Sequence, residues 1–264
     1  MTESAAEIQK RLGRAPRLWL FLDYDGTLAG FAPTPEEIIP DPALEDLLAR
    51  LAQDPRIRPA IISGRRLSHV QKLVPVPGIL LAGTYGIELQ TPEGERIDRL
   101  PLEEIRPTLD RLKPRWVALL AGRKGFFLED KGWALALHAR FASDQETEEV
   151  LVRARRSALE AIESRAPGLF RLLGGHKFLE IGPKLAHKGR TVEYLLEQYP
   201  WPGALPLYLG DDDKDEEAFG VVKARGGIAV VVASEPRETQ ADLRLPTPLA
   251  ARRWLEMLPT SRSA

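Results

Sequence analysis

Two carboxylates stand two residues apart in Asp23-Tyr24-Asp25-Gly26-Thr27, directly after the apolar run Leu18-Trp19-Leu20-Phe21-Leu22. An acid pair at the end of a buried strand lies where open α/β sheets bind ligands, outside the carboxyl ends of the strands. One such carboxylate can attack phosphorus while the other, held protonated, donates to the leaving oxygen. Gly26 permits a sharp turn, and the Thr27 hydroxyl with nearby amides can donate to phosphate. An acidic turn that merely ends a strand is the plainer reading. The buried run before the pair and the Gly-Thr-Leu after it argue against that.

Three further features suit the same chemistry. Ser63 follows the strand-like run Arg58–Ile62 and precedes a helical pattern, so its hydroxyl can donate to phosphate beside the positive end of a helix dipole. Lys188, in His187-Lys188-Gly189 at the start of another helix, is a cation that can neutralise a phosphoryl oxygen. The acidic run Gly210-Asp211-Asp212-Asp213-Lys214-Asp215-Glu216-Glu217 repels itself unless something positive sits nearby, and a hard cation such as Mg²⁺ answers that need. Asp211 and Asp212, at the strand terminus, are the better metal candidates, whereas Glu216 and Glu217 suit the first turn of a helix. Singly, each feature reads as an N-cap serine, a surface lysine or a dipole-favoured acidic turn. Together they supply a nucleophile, an acid, a phosphate donor, a cation and a metal site, which is what phosphoryl transfer requires. No Gly-x-x-x-x-Gly-Lys-[Ser/Thr] loop is present, which disfavours a nucleotide-hydrolysing P-loop enzyme.

The elements that must position these groups follow from the pattern. Leu18–Leu22, Arg58–Ile62, Ile79–Ala82, Leu205–Leu209 and Gly227–Val232 read as buried strands, and helical patterns separate them. A turn-rich stretch with Gly26, Gly30, Pro33 and Pro35 follows the first strand; Asp41 then caps a helix that has Pro42 at its first position. Alternating strands and helices predict a doubly wound, Rossmann-like α/β core. The middle differs: helices at Leu102–Leu112 and Glu146–Arg165 accompany short strands at Trp116–Leu120, Phe126–Leu128, Trp133–His138, Leu169–Leu173 and Lys177–Ile181. That predicts an inserted antiparallel α+β cap over residues 101–184, with the catalytic core formed by 1–100 and 185–264.

The 264 residues suffice for such a core and insertion. With 37 basic and 38 acidic residues the net charge is −1, so neither nucleic acid nor an anionic membrane is expected as a partner. The absence of cysteine excludes a thiol nucleophile and thiolate zinc, and the four scattered histidines form no zinc-binding pair. No signal peptide and no run of about 20 apolar residues is present, so a cytoplasmic location is expected. Oligomeric state is not legible.

The order Asp-x-Asp-Gly-Thr, Ser-Gly-Arg, Lys-Gly, Gly-Asp-Asp-x-x-Asp-Glu resembles the haloacid dehalogenase superfamily of phosphatases. The resemblance implies Asp23 as nucleophile, Asp25 as acid/base, Ser63 and Lys188 on the phosphoryl group, and Arg65 and Thr27 toward the substrate. It implies Mg²⁺ held by Asp23, the Asp25 main-chain oxygen and Asp211, with Asp212 and Asp215 supporting. Glu129-Asp130-Lys131, His138-Ala139-Arg140 and Gly175-His176-Lys177 to Glu180 are similar to trehalose-6-phosphate phosphatases, in which cap residues matching Glu129, Lys131 and Glu180 contact the sugar. The implied substrate is a small sugar phosphate: trehalose 6-phosphate or, alternatively, a mannosyl- or glucosyl-3-phosphoglycerate or sucrose 6-phosphate. A phosphomutase and a non-catalytic sugar-phosphate-binding module are the readings from other classes. One departure stands out: where that family usually carries Gly-Asn-His-Gly, this chain has Gly83-Thr84-Tyr85-Gly86.

Overall fold

A computed structural model of the chain describes residues 4–31, 39–165 and 167–260. Pro33 and Pro35 of the expected turn-rich stretch lie outside the described residues. The elements run α1 (Ala5–Arg14), β1 (Arg17–Leu22), α2 (Pro42–Gln53), β2 (Ile57–Ile62), α3 (Leu67–Leu73), β3 (Leu80–Gly83), β4 (Glu88–Gln90) and β5 (Arg96–Asp98). They continue through α4 (Leu102–Leu120), β6 (Phe127–Asp130), β7 (Leu135–His138), α5 (Asp144–Arg165), β8 (Phe170–Gly175) and β9 (Phe178–Pro183). The last part comprises α6 (Lys188–Gln198), β10 (Ala204–Gly210), α7 (Asp213–Ala224), β11 (Ile228–Val232), β12 (Leu243–Leu245) and α8 (Pro248–Thr260). They form two compact units, one from Met1–Ile97 with His187–Ala264 and the other from Asp98–Ala186.

The larger unit is built on an eight-stranded sheet of order β12-β11-β10-β1-β2-β3-β4-β5. From β12 to β3 every pairing is parallel, and β4 turns back antiparallel on β3. A parallel strand covered on both faces must be apolar throughout, which explains the unbroken run of β1. Leu18, Leu20 and Leu22 pack with Leu12 of α1, Leu48 of α2, Val70 of α3 and Leu255 of α8. Trp19 and Phe21 point the other way, into Val192 and Leu195 of α6 and Phe219 and Val222 of α7. The expected doubly wound α/β core is therefore present. The chain leaves β1 toward β2 on one side and returns through β10 on the other, so strand order reverses at β1. Ligands bind at such a switch point in open α/β sheets.

The smaller unit has a four-stranded antiparallel sheet of order β6-β7-β9-β8, accompanied by α4 and α5. Trp116–Leu120, expected as a strand, is instead the last part of α4, which runs on through Pro107 and Pro114. An internal proline removes a hydrogen bond and usually ends a helix. Here Ile105, Thr108, Leu109, Leu112 and Trp116 are buried at helical spacing across Pro114. The Trp116 indole also donates to the Ala154 carbonyl at 3.2 Å and to Ser157 Oγ at 3.1 Å. Packing on α5 thus outweighs the local signal. No helix among the described residues is long and apolar enough to cross a membrane.

The sequence signal at Asp41 has a measurable counterpart. Its carboxylate accepts from the Ala43 and Leu44 amides at 3.1 and 3.3 Å, and Arg252 of α8 donates to it at 2.5 Å. The Arg252 hydrogen bond holds this carboxyl below its usual range. A lowered folded-state pKa stabilises the fold above the unfolded value and ceases to do so as pH falls through the folded one. Asp41→Ala is expected to cost about 1 kcal/mol at pH 7 in urea unfolding. That difference should shrink once the pH drops below about 3.9.

Candidate active site

Asp23 is fixed where β1 ends: its amide donates to the Leu209 carbonyl of β10 at 2.9 Å, extending the parallel pairing by one residue. The chain then folds back, with the Leu28 and Ala29 amides on the Tyr24 carbonyl and the Gly26 amide on Ala29. Gly26 has φ +84°, and a Cβ there would lie 2.1 Å from Asp211 Oδ2. Glycine is thus required both for the backbone conformation and for the approach of Asp211 over the turn.

Around Asp23 the side chains form one network. Lys188 Nζ donates to Asp23 Oδ1 at 2.8 Å and to Asp215 Oδ1 at 2.6 Å. The Thr27 hydroxyl lies 3.0 Å from Asp23 Oδ2 and 3.2 Å from Asp211 Oδ1, so the donor expected to face phosphate bridges two carboxylates. Asp215 is wholly buried and accepts from Lys188, from the Tyr208 phenol at 2.7 Å and from the Asp211 and Asp212 amides at 3.0 and 3.1 Å. Asp212 caps α7, receiving the Lys214 amide and ammonium. Arg237 donates to the Asp211 carbonyl at 2.7 Å and pairs with Asp213, pinning the acidic turn from outside.

The charges are unevenly matched. Burial pushes Asp23 up to about 7 against the pull of Lys188, and the Asp211 charge adds to the rise. Burial and then the charges of Asp215 and Asp212 push Asp211 up to about 7 as well. Burial works against the Lys188 ammonium, but Asp215 and Asp23 more than offset it and hold that group well above its ordinary value. Burial likewise pushes Asp215 up to about 7 against the pull of Lys188, so one ammonium is too little positive charge for the three carboxylates Asp23, Asp211 and Asp215. Asp23, Asp211 and Asp215 each offer an oxygen within 4.8 Å of the others. Such a donor set fits a hard divalent cation. Four donors already engage Asp215, which makes Asp23 and Asp211 the more open ligands.

A second set sits at the end of β2. Ser63 is buried, and its Oγ accepts from the Arg65 amide at 3.1 Å. The Arg65 guanidinium grips Asp25 through Nε–Oδ2 at 2.6 Å and Nη2–Oδ1 at 2.7 Å. Thr84 and Tyr85, the departure noted in the sequence, form a tight turn with φ of 49° and 55°. Their amides donate to the carbonyls of Arg65 and Ser63.

In the smaller unit Glu129, Lys131 and Glu180 come together, each buried. Lys131 Nζ lies 2.7 Å from Glu180 Oε2 and 3.9 Å from Glu129 Oε2, and His138 Nε2 lies 3.1 Å from Glu129. Glu180 Oε1 is buried with no hydrogen-bond partner among the described residues.

Sequence reasoning assigned no role to Tyr208, Arg237 or His138. Tyr208 alone carries a signal, a phenol within an otherwise apolar buried strand, since a buried phenol seeks a partner. The sharpest test of this geometry is Gly26→Ala. It should destabilise the chain by more than about 1 kcal/mol in urea unfolding, since a left-handed residue and a close contact are both violated.

A family model described as Trehalose-phosphatase matches residues 21–248. The chain is 31% identical over 233 residues to a probable trehalose-phosphate phosphatase of Sinorhizobium fredii, covering 88% of this chain and 84% of that protein. The structure of Aspergillus fumigatus trehalose-6-phosphate phosphatase in crystal form 3 is 25% identical with a TM-score of 0.69, over 98% of both chains. The C-terminal domain of the Candida albicans trehalose-6-phosphate phosphatase shares the fold, with 20% identity and a TM-score of 0.85 over 98% of this chain and 97% of that one. With most of its length matched, the chain belongs to the trehalose-phosphatase family and is a phosphoric monoester hydrolase.

Proposed function

We propose that this enzyme hydrolyses trehalose 6-phosphate to trehalose and phosphate through a phosphorylated Asp23. The reading is supported most by one arrangement: a buried carboxylate at the switch point, bonded at 2.8 Å to a buried ammonium and flanked by Asp211. Asp23 attacks phosphorus as the P–O bond to the sugar breaks, and the proton of the Asp25 carboxyl passes to the departing oxygen. Water then attacks phosphorus, losing its proton to the Asp25 carboxylate, and the bond from phosphorus to Asp23 breaks to release phosphate. Lys188 and the Ser63 hydroxyl orient the phosphoryl group and offset its charge. Asp215 keeps Lys188 in place while Asp23 turns to the substrate. Mg²⁺ held by Asp23, Asp211 and the Asp25 main-chain oxygen, with Asp212 and Asp215 behind, would neutralise phosphoryl oxygens when bound.

Residues 101–184 act as the cap that selects the sugar. Glu129, Lys131 and Glu180 supply acceptors and a cation suited to hydroxyl groups, and the unpartnered Glu180 Oε1 calls for a donor that a sugar hydroxyl provides.

A panel of sugar phosphates separates this substrate from its alternatives. Trehalose 6-phosphate should show the highest kcat/KM; equal or faster turnover of sucrose 6-phosphate, a glycosyl-3-phosphoglycerate or p-nitrophenyl phosphate would reject it. Glu180→Gln should lower kcat/KM for trehalose 6-phosphate by tenfold or more, about 1.4 kcal/mol, with little effect on p-nitrophenyl phosphate. For the chemistry, Asp23→Asn should abolish turnover in a protein with unchanged circular dichroism. Chelation should silence the wild type, and Mg²⁺ should restore it. Residual turnover in Asp23→Asn would exclude the covalent route.

A further inference from the structure

Arg65, expected from the sequence to face the substrate, is engaged elsewhere. Its planar fork closes on both oxygens of Asp25, at 2.6 and 2.7 Å, and the two side chains are only 11% and 22% exposed. A bidentate guanidinium fixes the plane of a carboxyl group as well as its position, and it takes only one lone pair of each oxygen, leaving the other for the proton that the acid role requires. The backbone of Arg65 is held equally firmly. Its amide donates to Ser63 Oγ at 3.1 Å, and its carbonyl accepts from the Thr84 amide at 2.7 Å.

The turn that receives Arg65 is itself over-determined. Thr84 and Tyr85 are consecutive non-glycine residues in the left-handed region, a conformation that persists only when the surroundings enforce it. Buried Glu88 accepts the Thr84 hydroxyl at 2.8 Å and the Leu67 amide at 3.3 Å. Thr191 of α6 donates to the Tyr85 carbonyl at 2.7 Å. A continuous set of bonds therefore runs from α6 and Glu88, through the strained turn, to the Ser63–Arg65 segment and on to the carboxylate of Asp25.

We infer that Arg65 is a positioning residue that acts on the reaction through Asp25, and does not bind the phosphoryl group. The inference rests on the reading of Asp25 as the proton donor to the leaving oxygen. A group that works through such a donor matters in proportion to how much the leaving oxygen needs the proton. A sugar alkoxide needs it; a dinitrophenolate does not. A phosphate-binding group would matter equally for both.

The test is the pre-steady-state rate of alcohol release from trehalose 6-phosphate and from 2,4-dinitrophenyl phosphate, measured on the full chain. Wild type, Asp25→Ala, Arg65→Ala, Arg65→Lys and the double variant Asp25→Ala/Arg65→Ala would be compared. Arg65→Lys keeps the charge but cannot fork, and its unfolding midpoint and circular dichroism check the fold. Since general acid catalysis contributes about 10²–10⁴-fold, both Arg65 variants should slow sugar release by a large part of that factor and aryl release by less than about threefold. Adding Arg65→Ala to Asp25→Ala should cost nothing further. Equal losses on both substrates, a loss confined to KM, rescue by lysine or additive losses in the double variant would each overturn the inference. An Asp25→Ala loss equal on both substrates would instead sink the acid role itself, and the inference with it.

Discussion

An ammonium group buried to 3% exposure is the constraint around which the larger unit is arranged. Taking such a charge out of water costs several kcal/mol unless it is paired and hydrogen-bonded on all sides. Lys188 meets that requirement with two carboxylates, and Asp215 in turn is satisfied by Tyr208 and two amides of the turn into α7. Removing either partner would leave a buried charge unmatched. β1, β10, α6 and α7 are thereby tied at one point by polar bonds, on top of the apolar packing that joins them elsewhere. The same bonds orient the carboxylate proposed to attack phosphorus, so the demands of stability and of chemistry fall on the same atoms.

Catalytic electrostatics of this kind depends on dipoles and charges already in place. The larger unit achieves this with short connections. Thr27 joins Asp23 to Asp211, the Asp212–Asp215 capping box fixes the first turn of α7, and Arg237 closes over the outside of that turn.

Much of this was legible in the chain. β1 is apolar from Leu18 to Leu22 because both faces of a parallel sheet are covered, β2 is apolar apart from Arg58, and a polar residue follows each of β1, β2 and β10. That signal is why Asp23, Ser63 and Asp211 stand out in the sequence as candidates. Partnerships were not. Nothing local distinguishes Asp215 from the neighbouring acids, since its role depends on Lys188 and Tyr208, which other elements bring to it. Thr27 read as a phosphate donor because its carboxylate partner Asp211 lies 184 residues away. Arg65 read as a substrate ligand because the fork on Asp25 exists only once β1 and β2 are side by side. Elsewhere, β4 and β5 have three residues each, too few to show a period, and α1 buries only Ile8 and Leu12. The helix expected over Leu102–Leu112 is carried past Pro114 to Leu120 by the packing of Trp116.

The position of β1 between β2 and β10 also sets an order of events in time. Its pairing with β2 closes a short stretch of chain, but its pairing with β10 joins segments separated by the whole Asp98–Ala186 unit. Contacts so distant in sequence form late, because chain entropy must be lost before they contribute. During synthesis the Asp23 turn therefore leaves the ribosome long before its ammonium and carboxylate partners exist. Truncated products that stop before β10 contain Asp23, the proposed nucleophile, and Lys188 but lack Tyr208, Asp211 and Asp215, so the network around Asp23 is complete only when the last third of the molecule closes onto the first.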